Sequence, residues 1–171
     1  MTQIHLRGLI AGLAGLALAG TLAACSSDSG TSTGAVSAAG TSAAAPAPAK
    51  MPAITELKTA TTSLGEVVVD GKGMTLYMYT KDTQGTTTSA CTGGCLVAWP
   101  LTVADSTPTL TGVAGAVGSI ATADGRKQVT LNGWPLYYYA KDKAPGDVVG
   151  QDVGKVWYVL DKTGTPIKPA S

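Results

Sequence analysis

Between positions 61 and 165 the apolar residues recur with the two-residue period of strands, and turn-forming residues separate the runs. Val67-Val68-Val69 leads through Asp70-Gly71-Lys72-Gly73 into an apolar and aromatic run over residues 74–79, which predicts a hairpin. Residues 127–131, the dipeptide Asn132-Gly133 and residues 135–139 predict a second. Residues 119–123 predict a strand that enters this second hairpin through a turn at Asp124-Gly125. Residues 155–161 predict a last strand, followed by a turn at Lys162-Thr163-Gly164. Leu96-Val97-Ala98-Trp99 suits one short helical turn, stopped by Pro100. All nine aromatics, six Tyr and three Trp, lie from Tyr77 to Tyr158, so the core belongs there. The expected fold is mostly β, a small single domain over residues 61–165 with at most one short helix.

The two hairpins are related. Leu76-Tyr77-Met78-Tyr79-Thr80-Lys81-Asp82 aligns with Leu136-Tyr137-Tyr138-Tyr139-Ala140-Lys141-Asp142 at a constant offset of 60, and Gly73 and Gly133 keep it. An internal duplication into two related β-hairpin units sharing one core is the simplest account. Side chains alternate across a strand, so Tyr77 and Tyr79 share one face while Leu76 and Met78 share the other. Tyr137 and Tyr139 are opposed in the same way to Leu136 and Tyr138. Large side chains on both faces suit a strand covered on both sides.

The segment before this domain has a different character. Residues 1–7 are polar, with His5 and Arg7, and residues 8–24 are uncharged and rich in Leu, Ala and Gly. This is the layout of a secretory signal peptide, and the run is shorter than the ~20 residues of a spanning helix. Its end, Leu22-Ala23-Ala24-Cys25, resembles the lipobox of bacterial lipoproteins. That resemblance implies cleavage before Cys25 and lipidation of its thiol, with two or three acyl chains holding the protein on the outer side of a membrane. Cleavage removes the only His and leaves eleven basic against eleven acidic side chains. Residues 25–60, after the lipidated Cys, are dominated by Ala, Ser, Gly, Thr and Pro and read as a disordered linker. A tether of ~25 such residues reaches roughly 25–30 Å. Residues 166–171 read as a tail.

The repeated motif, with Tyr77, Tyr79 and Asp82 in one copy and Tyr137, Tyr139 and Asp142 in the other, resembles that of secreted bacterial lipoproteins carrying Y-x-[FWY]-x-x-D. The resemblance extends to Cys91-Thr92-Gly93-Gly94-Cys95, Trp99-Pro100, Pro145-Gly146-Asp147 and Val156-Trp157-Tyr158, and so spans nearly all of the domain. That family is a secreted repeat of unknown function. The name implies an address and a duplication but no reaction.

Two readings of the motif stand side by side. The tyrosines pack the core with their hydroxyls at its edge, or they form an aromatic surface for a flat ligand such as a porphyrin or a glycan. Asp82 and Asp142 sit where each strand ends, placed for Asx-type turns that accept backbone amides; acid–base work would require the two to converge. Asp147 and Asp152 could join Asp142 in a cation site, although the loop lacks an EF-hand pattern. Cys91 and Cys95 are the pair left once Cys25 is lipidated, and outside the cytoplasm a disulfide is the simplest state. Such a pair is either a structural staple or a redox or metal pair. Met74 and Met78 are the candidate soft ligands for Cu(I).

Loss of His5 excludes Ser–His–Asp and Cys–His catalysis, and the Gly-rich stretches match no phosphate-binding loop. The balanced charge gives no basic patch for nucleic acid. The expectation is a non-enzymatic protein without a cofactor, at the cell membrane, lipid-anchored on the extracytoplasmic face. It would act in binding or structure, its partners being the membrane and an envelope protein or small ligand. The alternative is a redox or metal (copper or haem) handling lipoprotein that uses Cys91 and Cys95.

Overall fold

Polar-apolar alternation organises the chain into eight short strands and one helical turn, seen in a computed structural model that describes residues 50–169. The expected signal peptide, Cys25 and most of the expected linker lie outside the described residues. Among the described residues no helix is long and apolar enough to cross a membrane.

Strand β1 (Glu56–Thr62) pairs antiparallel with β2 (Gly65–Asp70) through a two-residue loop, and parallel with β4 (Thr109–Thr111) on its other edge. The folded chain therefore starts inside the stretch that composition assigns to the linker. Leu57 is fully buried while its neighbours Glu56 and Lys58 are only partly so. A strand pinned by one apolar side chain leaves little trace in average composition. At the other end, Pro166 bridges Leu160 and Ile167 donates its amide to Val159, so the expected tail begins with paired residues.

The turn at residues 70–73 forms as expected. The Asp70 carboxylate accepts the amides of Lys72 and Met74, both at 2.9 Å, and Gly73 takes a φ of +87°. The hairpin predicted there forms but is short, Asp70 donating its amide to the Met74 carbonyl and Leu76 its amide to that of Val68. After the Val69–Thr75 bridge, β3 (Tyr77–Tyr79) turns away to pair with β8 (Trp157–Val159), leaving β2 with the six-residue register of β1. The second hairpin holds better. β5 (Val117–Ala121) pairs with β6 (Lys127–Leu131), and β6 with β7 (Trp134–Pro135) across Asn132 and Gly133, both at positive φ. β7 is shorter than predicted, because Pro135 has no amide to donate. β8 is shorter too, since Lys155 has a left-handed φ and ends a 3-10 turn over Val153–Lys155. The single helical turn, α1 (Cys95–Ala98), ends before Pro100 as predicted.

At the centre the two copies meet. Tyr77 donates its amide to the carbonyl of Tyr137, and Tyr137 returns the bond to Tyr77, both at 2.9 Å. This exchange is an approximate two-fold relation between the copies. β3 of the first copy is flanked by β8 of the second, while Tyr138 and Ala140 bond to the carbonyls of Pro100 and Ala98 in the first. Each copy's central strand is thus completed by the trailing segment of the other. The face split follows the alternation. Leu76, Met78, Leu136 and Tyr138 pack in one core cluster, and Tyr77, Tyr79, Tyr137 and Tyr139 in a second.

Candidate functional site

Because the central strands are antiparallel neighbours, the hydroxyl of each first motif tyrosine is carried toward the end of the other copy's strand. The Tyr77 hydroxyl donates to Asp142 Oδ2 at 2.7 Å, and the Tyr137 hydroxyl donates to Asp82 Oδ2 at 2.7 Å. The second carboxylate oxygens are used alike, Asp82 Oδ1 accepting the Ala90 amide at 2.6 Å and Asp142 Oδ1 the Val149 amide at 3.1 Å. These amides lie eight and seven residues downstream, so the aspartates hold the start of a long loop and a phenol from the other copy. This corrects the expectation of Asx-type turns at both positions. Such turns occur instead at Asp70 and at Asp161, whose Oδ1 accepts the amides of Thr163 and Thr165.

The electrostatics follow from burial. Asp82 and Asp142 are almost wholly buried, and desolvation holds both carboxyls above the ordinary carboxylate range. Burial also pushes the phenols of Tyr77 and Tyr137 far above their usual range, and the adjoining carboxylates add to this. Among the described residues the ion pairs are Arg126–Asp124 and Lys162–Glu66, and neither touches the motif. Phenol and amide donors therefore compensate the two carboxylates where they are buried. Space is tight around this network. Gly150 donates its amide to the Tyr77 hydroxyl at 3.2 Å, and a Cβ at that position would lie 2.8 Å from Tyr77 Cζ.

The second tyrosine of each motif has a different task. Tyr79 stacks on Trp157 with centroids 4.1 Å apart, Trp157 on Trp99 at 3.8 Å, and Trp99 on Tyr139 at 4.2 Å. Tyr77 meets Trp99 edge-on at 5.5 Å, and Tyr137 meets Trp157 edge-on at 5.1 Å. Tyr79 and Tyr139 thus each stack on the tryptophan of the other copy, whereas Tyr77 and Tyr137 meet that of their own edge-on.

Cys91 and Cys95 are joined in a disulfide with Cα atoms 5.4 Å apart. Gly93 between them takes a φ of +56°. Cys91 is buried, so a thiolate there would form away from water. Met78 is buried in the core cluster away from the motif tyrosines. Among the described residues no group of three His, Cys, Asp or Glu side chains is placed to hold a metal. The Asp147 carboxylate accepts the amides of Lys143 and Ala144, and those bonds lower its pKa.

The six motif residues thus come together around one axis. A family model described as a secreted repeat of unknown function matches residues 58–102 and again 118–161. The chain belongs to that family. No curated protein and no solved structure matches it. In this secreted repeat, the matched copies include the trailing segments that cross over, Trp99 in the first and β8 in the second.

Sequence reasoning missed two contacts around the motif. The Trp99–Trp157 stack was visible only as an offset of 58, close to that of the motif. The bond from the Tyr138 hydroxyl to Asp70 Oδ2, 2.9 Å, has no counterpart in the first copy, where Met78 stands in place of Tyr138.

Proposed function

We propose that this secreted repeat is a non-catalytic structural and binding module of the bacterial cell envelope, carried on the extracytoplasmic side by lipid on Cys25. The observation that carries this reading is the reciprocal bonding of Tyr77 to Asp142 and Tyr137 to Asp82. The residues that define the motif are consumed in joining the two copies, and a motif so used is architecture. The buried Cys91, beside a carboxylate-bound segment, supports a structural staple over redox exchange, because an attacking thiol needs a leaving thiolate.

Two experiments test the reading. Cys25→Ser should release the protein from the membrane into the detergent-poor phase, and retention of the variant on the membrane would remove the anchor. The reduction potential of the Cys91–Cys95 pair should lie below roughly −300 mV, the range of structural disulfides. A value near those of thiol-exchange proteins, or uptake of copper or haem, would favour the redox and metal-handling alternative.

A further inference from the structure

Strand β5 lies at the edge of its sheet, with β6 on one side and no strand on the other. Its register shows which backbone groups face outward. Asn132 donates its amide to the Ala116 carbonyl and Thr122 donates to that of Arg126, so the even-numbered residues from 116 to 122 bond toward β6. The amides and carbonyls of Val117, Ser119 and Ala121 therefore point away from the sheet, and among the described residues none of them has a hydrogen-bond partner. Side chains do not shield them, since Gly118, Ser119 and Ala121 are exposed. Sheet edges are ordinarily blunted by charge, proline or a bulge. Here residues 106–123 carry no charge, β5 holds no proline, and its register with β6 runs without a bulge. The outer side of β2 is covered by contrast, Val68 donating its amide to Leu160 and accepting that of Leu76.

The strand is complementary to itself. An antiparallel pair centred on Ser119 sets Ser119 opposite its own equivalent and Val117 opposite Ala121 of a second copy, so every outward amide meets a carbonyl. The same register puts Ile120 of one copy against Gly118 of the other, in the closely spaced position. Gly118 is exposed and a Cβ there would meet Thr130 Oγ1 at 3.0 Å, so the position stays small on its own sheet and leaves an open surface for Ile120. Glycine inside a strand suits the close approach of another backbone. With no charge on the strand, no like charges meet across the two-fold axis. We propose that two copies of this chain associate through β5, joining their β5–β6–β7 sheets into one continuous sheet. The contact is small, so the dimer is weak and transient. The inference goes beyond the architectural reading of the motif, which survives if the chain proves monomeric.

The test is oxidative cross-linking of the full chain, with the parent sequence as control. Cα atoms in a hydrogen-bonded antiparallel pair lie about 5.5 Å apart, within the span of a disulfide. Ser119→Cys should therefore give a covalent dimer, whereas Leu110→Cys, exposed on the edge strand β4, should stay monomeric. Ser119→Lys sets like charges opposite each other and should weaken association, followed by sedimentation, by up to about five-fold. Mixing Ser119→Lys with Ser119→Asp should restore it, which a misfolded variant would not do. A monomeric Ser119→Cys chain, the result expected if another segment of the same chain covers the edge, would overturn the proposal. So would capture of a different protein in place of a second copy, an equal dimer yield from Leu110→Cys, or unchanged association of Ser119→Lys.

Discussion

The two copies share one carboxylate clamp but secure the loop that follows it by different means. In the first copy the loop after Asp82 is held by the Ala90 amide bond and by the Cys91–Cys95 disulfide. In the second, the loop after Asp142 is held by the Val149 bond and by hydrogen bonds alone. Asp147 accepts the amides of Lys143 and Ala144, and Gln151 bridges the Val159 amide and the Ile167 carbonyl. What both copies keep is the clamp and the tryptophan that follows, Trp99 or Trp157. The common requirement is that the loop return its chain to the central axis, and the staple between is interchangeable.

The largest effect should come from the shared part. Trp99→Ala and Trp157→Ala each remove an inner ring of the four-ring stack and should each cost about 3–5 kcal/mol in denaturant unfolding. Costs that differ widely would break the equivalence of the copies. Next, Tyr77→Phe and Tyr137→Phe each leave a buried carboxylate short of a donor, at a cost of about 1–3 kcal/mol. A double-mutant cycle sharpens this: Tyr77→Phe should couple with Asp142→Asn and not with Asp82→Asn. Coupling within one copy instead would mean that the copies are not interlocked.

The staples should separate the copies. Reducing the disulfide, or replacing both cysteines by Ser, opens a very short covalent loop, so the expected loss is about 2 kcal/mol. Hydrogen exchange of the Ala90 amide should quicken while that of Val149 stays as before. Equal acceleration at both would show that the two loops are not independent.

The smallest effect is the pH dependence. Burial raises the carboxyls of Asp82 and Asp142, so the folded state binds protons there more readily than the unfolded chain. Their contribution to stability is complete below the unfolded value of about 4 and is lost as pH rises through the raised folded values. Asp147 acts in the opposite sense. Its lowered pKa gives stability that is present above about 4 and lost as pH falls through the depressed value. Denaturation midpoints followed from pH 7 toward 4 should therefore show a gain, and the Asp82→Asn/Asp142→Asn variant should lack it. A gain of the same size in that variant would place its origin elsewhere.

Much of the scaffold was legible before any coordinates. Asn132-Gly133 announced its turn because few other residues accept two successive positive φ values. The alternation of Leu76, Tyr77, Met78 and Tyr79 predicted two covered faces, and two core clusters receive them. The start of the fold was not legible, since β1 contributes one fully buried side chain in seven residues. The first hairpin was half legible. Its turn is a local matter of Asp70 and Gly73, whereas the point at which β3 leaves β2 is set by its pairing with the distant β8.

By itself, the sequence determined the strand period, the tight turns, the duplication at an offset of 60 and the pairing of the two cysteines, all of which rest on residues near one another in the chain. Only the tertiary structure decided which aspartate each tyrosine serves. An extended strand advances about 3.3 Å per residue, so Asp82 is carried away from the Tyr77 ring along its own chain. The antiparallel exchange between Tyr77 and Tyr137 brings the other copy's aspartate within 2.7 Å of that hydroxyl. Partner choice across sixty residues depends on how strands are ordered in space, and no local pattern carries that information.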